Sequence, residues 1–341
     1  MKSGKKKLLN FLLIFGTLAM VMLIGFNGQE MSGAVDALLS IGPSWIALCL
    51  IAYLVYVGCE AFSLYFYLKR QGHRISWLYA VFVSIIGLYY SNITPGATGG
   101  QPMQAYYLTK RNVPLGVGTS ALTVKLFCFQ FMLAVLGTVL WIAHGPFIAE
   151  QLGGNSWILI VGYAYNWFTV LLMIVLSFCH KPVELLIRFS VKLGVLLRIC
   201  KNPDESRRKW KEVQASFHSC IQSLVKRPLD LLVQLVTGGV ELMALMMVIS
   251  FVYRAFHLSG VEWSKLTALG VMLYTSAAYT PLPGASGAQE GLFALYFASV
   301  FPDGIRVMAL LVWRFFTYYM SLIVGAVVSV VHGFVSGKKK S

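Results

Sequence analysis

Charge is what this sequence has least of. Only 12% of its 341 residues are Asp, Glu, Lys or Arg, roughly half the share of an ordinary soluble domain. A water-exposed surface for a chain this long cannot be built from so few charges, so a soluble globular protein is excluded. Cysteine is scarce too. Cys49, Cys59, Cys128 and Cys179 lie in apolar stretches, Cys200 and Cys220 in a basic one, and no C-x-x-C occurs. A disulfide framework, a zinc ribbon and a redox pair are therefore not indicated. No H-E-x-x-H, P-loop or nucleophile elbow is present, so the sequence calls for no metal, no cofactor and no catalytic residue. Ten-residue segments of alternating polarity, the mark of an outer-membrane barrel, are missing as well.

Long apolar runs take their place. The chain is 57% hydrophobic and its mean hydropathy is +0.71. Runs near 8–26, 44–68, 115–143, 156–179, 229–255 and 305–332 are each long enough to cross a hydrocarbon core as a helix. The first follows a basic start, but its length and the lack of an A-x-A site predict an uncleaved helix rather than a signal peptide. The expectation is an all-α polytopic membrane protein forming a single integral membrane domain over 1–341.

The formal net charge of +15 would suggest nucleic acid in a soluble protein. Here the basic residues sit in short groups, at 1–7, 69–74, 110–111, 180–228 and 338–340, which hold most of the 28 Lys and Arg. No base-stacking or base-reading pattern accompanies them, so no nucleic-acid partner is expected. Under the positive-inside rule these groups face the cytoplasm, with both termini inside. The connections 27–43, 144–155, 256–265 and 301–305 then face outward. Within the linker 180–228, the Leu-rich first part reads as a helix lying on the inner leaflet.

One string occurs twice. "ITPGATGGQ" at 93–101 returns as "PLPGASGAQ" at 281–289. Aligning Pro95 with Pro283 pairs Gly96 with Gly284, Thr98 with Ser286, Gly99 with Gly287, Gly100 with Ala288 and Gln101 with Gln289. Proline removes an amide donor and glycine weakens a helix. Each string therefore breaks a helix at membrane depth, where freed backbone groups persist only if buried in protein or lining a wet cavity. The orientation assigned above makes 76–110 a re-entrant hairpin entering from the cytoplasm and 266–301 one entering from outside. The chain then divides into inverted halves, 44–143 and 229–332. Paired broken helices in inverted repeats point to a transporter's substrate site.

Each half also carries ionisable residues inside an apolar run. Lys125 and Arg314 lie at nearly equal distances after their strings, and Glu60 and Glu241 lie in the preceding spans. A charge at the bilayer centre costs at least ~2.5–3.5 kcal/mol, so such residues should face the bundle interior. Two readings stand side by side. The four pair with one another, or Lys125 and Arg314 contact a lipid phosphate together with the N–H groups around Gly96, Gly99, Gly100, Gly284 and Gly287. Glu60, Thr98, Gln101, Gln104, Glu241, Ser286, Gln289 and Glu290 are expected to line a polar cavity, with Glu290 either capping the returning half-helix or meeting a cationic headgroup.

The strings "SNITPGATGGQPMQAYYLTKRNVP" and "TPLPGASGAQEGLFALYF" resemble the membrane domain of the lysylphosphatidylglycerol synthase/flippase family, which includes the multiple peptide resistance factor of bacteria. The resemblance extends over nearly the whole chain. Many relatives place an arginine shortly after the first string, where this sequence has Gln104. The resemblance implies a flippase moving phosphatidylglycerol-type or aminoacylated lipids between leaflets, with membrane phospholipids as partners. The family's soluble synthase domain is not expected here, because the sequence ends directly after the last span. Three alternatives stay open: a phosphatidylglycerol lysyltransferase-type enzyme, a membrane partner of a separate synthase, and a transporter of a soluble solute. A homo-oligomer is compatible with all of them.

Overall fold

The structure, a computed structural model, describes residues 40–179, 184 and 203–337. The expected helix at 8–26, the leaflet helix in the first part of the linker and the basic C-terminal tail lie outside the described residues. Among the described residues every regular element is helical, and no strand occurs.

Five helical stretches are long and apolar enough to cross a membrane: Pro43–Arg70, Leu115–Leu152, Ser156–Phe178, Pro228–Ala255 and Asp303–His332. The chain is thus a multi-pass all-α membrane protein. Helix α1 (Pro43–Arg70) begins with proline, whose missing N–H costs nothing in a first turn, and ends on Lys69 and Arg70 at the negative end of its dipole. Helix α2 (Trp77–Ile93) is capped by the Ser76 hydroxyl, which accepts from the Tyr79 N–H at 3.3 Å. It ends at Thr94, and a turn over Pro95–Ala97 leads into the short α3 (Gly100–Thr109).

Helix α4 (Leu115–Leu152) runs past the boundary at 143 set by the sequence. The His144-Gly145-Pro146 triplet reads as a loop, yet it only kinks the helix: His144 takes φ −125° and Pro146 stays inside. Pro removes one hydrogen bond from a helix without having to end it. Helix α5 is Ser156–Phe178. The polar half of the linker forms α6 (Pro203–Val225), which buries Cys220, Ile221 and Leu224 against the bundle. Its His218 Nδ1 lies 2.7 Å from the Ser177 carbonyl oxygen.

Helix α7 (Pro228–Ala255) packs along α1. Two polar links fix their register: Ser63 Oγ donates to Gln234 Oε1 at 2.5 Å, and the Arg70 guanidinium meets Asp230 at 2.7 Å. Helix α8 (Trp263–Ala277) is the most enclosed element, with every residue from Leu266 to Leu273 buried. A turn over Pro283–Ala285 joins it to α9 (Ala288–Tyr296). Helix α10 (Asp303–Arg314), a wider π segment over Phe315–Tyr319 and α11 (Met320–Gly337) complete the chain.

Apolar side chains fill two clusters. The larger surrounds α8, and the smaller lies between α1, α2, α3, α4 and α6. Outward-facing Leu54, Leu78, Ile142, Phe168 and Val327 are more than half exposed, as suits helices whose outer surface meets acyl chains.

Candidate functional site

The two Pro-Gly turns touch. The Gly96 N–H donates to the Pro281 carbonyl at 3.1 Å, and the Tyr318 hydroxyl reaches the Asn92 carbonyl at 3.3 Å. Their backbones match residue for residue through the shared core. Gly96 sits at φ 58°, ψ 26° and Gly284 at φ 59°, ψ 21°. Ala97 and Ala285 follow at φ 56° and φ 49°. These left-handed conformations favour glycine and cost an L-residue of order 1–3 kcal/mol. After the alanines the two turns diverge. Thr98 is αR and Ser286 extended; Gly99 is helical in φ, whereas Gly287 takes φ 85°.

The divergence changes what the conserved-looking glycines do. Gly99 and Gly100 serve the close approach of α2 and α3. A Cβ on Gly100 would overlap the Ser91 hydroxyl and lie 2.6 Å from the Gly87 carbonyl oxygen. The Gly99 N–H is taken by the Thr94 hydroxyl at 2.8 Å. Gln104 lies buried over Gly87, its amide 3.4 Å from the Val83 carbonyl. In the second turn the Gly287 N–H is held by Glu290 at 2.6 Å.

A cavity of about 500 Å³ opens beneath the joined turns. Gly96, Gln101 and Gln104 line it from the first hairpin, and Gly284 and Gln289 from the second. Glu60, Lys125, Glu241 and Arg314 reach its wall from α1, α4, α7 and α10. Thr98, Gly99, Gly100, Ser286, Gly287 and Glu290 are not on the wall; of these, the Thr98 hydroxyl closes its own turn on the Pro95 carbonyl at 3.0 Å.

Both cations already hold a carboxylate. Lys125 Nζ pairs with Glu60, and both side chains are about nine-tenths buried. Arg314, 3% exposed, is bonded in several directions. Its Nε donates to Glu290 at 2.7 Å and one Nη to Gln289 at 2.6 Å. The other Nη reaches the Gly284 carbonyl at 3.2 Å and the Ser286 hydroxyl at 3.4 Å. Its guanidinium also lies 4.4 Å from the Tyr318 ring centroid. Arg314 thereby ties α10 to both sides of the second turn. Lys125 keeps two further N–H donors beyond its carboxylate, and one Arg314 Nη a second hydrogen.

Glu241 stands apart. It is 3% exposed, lines the cavity, and lies close enough to Glu60 and Lys125 to feel both charges. Among the described residues it has no hydrogen bond or ion pair. The sequence pairs it with Glu60 as the acid of the second half, but Glu290 holds that half's cation instead. Tyrosines that the sequence does not single out also shape the cavity: Tyr56, Tyr165, Tyr274, Tyr279 and Tyr318. Among so many membrane tyrosines, nothing in the sequence separates them from packing residues.

A family model for the transmembrane region of lysylphosphatidylglycerol synthase matches residues 8–325. The chain belongs to that family. Two relatives match over three quarters or more of their own length. A UPF0104 membrane protein of Archaeoglobus fulgidus is 23% identical, over 75% of this chain and 76% of its own length. A UPF0104 membrane protein of Methanocaldococcus jannaschii is 22% identical, over 92% of each. The family match takes in both Pro-Gly turns and all four charged residues of the cavity wall.

Proposed function

We propose that this protein carries a phospholipid headgroup across the membrane, with the cavity beneath the two turns as its polar path and the acyl chains left in the bilayer. The observation that carries this reading is the cavity itself. Charged and amide side chains line it among apolar ones, it lies within a bundle whose outer face is apolar, and both broken helices border it. Irregular backbone at membrane depth has this use in transporters. Membership in a lipid-modifying family's transmembrane region supports a lipid as the cargo.

In this reading the hairpins α2–α3 and α8–α9 enter from opposite faces and the halves are inverted. The termini and the 180–228 linker face the cytoplasm, where positive charge is retained. The headgroup phosphate meets the free N–H donors of Lys125 and Arg314, each keeping its carboxylate. Gln101, Gln104 and Gln289 offer neutral hydrogen bonds to hydroxyl or ester groups. An amine on the headgroup finds Glu241. Phosphatidylglycerol-type and aminoacylated lipids both suit such a wall.

The test is a leaflet-resolved assay in proteoliposomes with labelled phosphatidylglycerol and lysyl-phosphatidylglycerol. Protein-dependent transfer of either lipid is expected. Equal rates in protein-free vesicles, for both lipids, would refute the proposal.

A further inference from the structure

The cavity wall carries an imbalance. On its α1–α4–α7 side two carboxylates, Glu60 and Glu241, face a single ammonium, Lys125. Lys125 is bonded to Glu60, so the surplus charge falls on Glu241, which is buried and has no bonded partner among the described residues. A bare carboxylate in that position is unfavourable, since burial of an unpaired charge is resolved by pairing or by neutralisation. We propose that Glu241 is a proton-binding site, loaded from water in the cavity, and that its proton is the coupling ion of transport. The second half of this proposal rests on the translocase reading; the first does not.

The surroundings favour a proton over a metal cation. The charged and titratable groups facing Glu241 are Tyr56, Cys59 and Glu60 on α1, Lys125 and Cys128 on α4, and Tyr274 on α8. A metal ion needs several anionic or neutral ligands at once, and here the second carboxylate, Glu60, is already taken by Lys125. Among the described residues no group of three His, Cys, Asp or Glu is arranged to hold one. Arg314 on α10 shares the cavity but is engaged by Glu290. Asp230, at the start of α7, lies about 16 Å away along the helix at 1.5 Å per residue, and is bonded to Arg70. The other buried acids, Glu60, Asp230 and Glu290, thus each hold a cation, and Glu241 alone among these four does not.

Coupling follows from the same geometry. A protonated Glu241 leaves the α1–α4–α7 side neutral, and a headgroup ammonium entering the cavity replaces the proton one for one. Loading one positive charge then releases another, so a pH difference across the membrane drives lipid in one direction.

Infrared spectroscopy of the full chain in lipid nanodiscs reads the proton directly. The unmodified protein at neutral pH should show a protonated-carboxyl band that shifts in deuterated water. Glu241→Gln should remove it. Glu241→Asp, a variant for the case where the amide does not fold, should move it. Absence of the band at neutral pH, or a band untouched by both substitutions, overturns the proton site. In proteoliposomes, an imposed pH gradient should change the rate of labelled lysyl-phosphatidylglycerol transfer by several-fold, and Glu241→Gln should bring the ratio of rates with and without the gradient to one. A wild-type rate indifferent to the gradient overturns the coupling role. A carboxyl band without any lipid transfer would refute the translocase and leave the proton site standing; lipid transfer without the band would do the reverse.

Discussion

Replacing Arg314 by methionine tests whether the second Pro-Gly turn is held by charge. The Arg314 and Glu290 side chains are 3% and 10% exposed. Removing the guanidinium leaves the Glu290 carboxylate buried with one remaining bond, from the Gly287 N–H. It also strips donors from Gln289, the Gly284 carbonyl and Ser286. Breaking a buried pair in this way costs about 3–5 kcal/mol, most of it the penalty of the orphaned charge. Glu290→Gln alone orphans the other charge, though Arg314 keeps three acceptors, so its cost should be smaller. In the double variant no buried charge remains at the second turn. The two effects should then be strongly non-additive, with a coupling on the order of 2 kcal/mol. Equilibrium unfolding in mixed micelles, measured for all four proteins, gives this number. Additivity within about 0.5 kcal/mol would refute the reasoning, because it would mean that the pair contributes nothing beyond its separate members.

Three glycine substitutions test the hairpins separately. Gly100→Ala forces a methyl onto Ser91 and the Gly87 carbonyl and should lower thermal stability by about 1–3 kcal/mol, as overpacking does. Gly287→Ala meets no atom within 4 Å, yet its φ of 85° should still cost about 1–3 kcal/mol of backbone strain. Gly291→Ala, in open space inside α9, should be neutral or raise stability by up to about 1 kcal/mol. A Gly287 variant as stable as the Gly291 one would contradict the turn geometry. Lys125→Met leaves Glu60 and Glu241 as two unpaired buried acids. Lipid transfer should fall at least tenfold, whereas Arg208→Ala, at a pair exposed on both sides, should leave transfer near wild type and stability within about 1 kcal/mol.

The spans were legible because their signal is length and apolarity, which the bilayer imposes directly. The five membrane-length helices match the sequence runs that fall on described residues, apart from the extension of α4 beyond His144. That extension was hidden because His-Gly-Pro looks the same in a kink and in a loop. The sequence offers four charged residues as candidates to pair with one another; Lys125 does pair with Glu60, but Arg314 takes Glu290, from outside those four. Glu241 lies seven residues farther ahead of its Pro-Gly string than Glu60 does, so the two acids are not equivalent in the fold. Glu241 comes beside the Glu60–Lys125 pair, and Arg314 is held by Glu290, one turn past Gly287. Similarity of sequence between the turns also overstated their chemistry. Thr98 and Ser286 align, but opposite ψ values send the two chains on different paths. Such a difference depends on what each turn packs against, and the string alone does not carry it.

The central claim is that a lipid headgroup occupies the space beneath the joined Pro-Gly turns. A cryo-EM structure in nanodiscs containing phosphatidylglycerol and its lysyl ester tests it most directly. The account predicts headgroup density within hydrogen-bonding reach of Gln289 and Lys125, with acyl chains leaving the cavity between helices. A cavity holding only water, in a map that resolves lipids elsewhere on the protein surface, would contradict it.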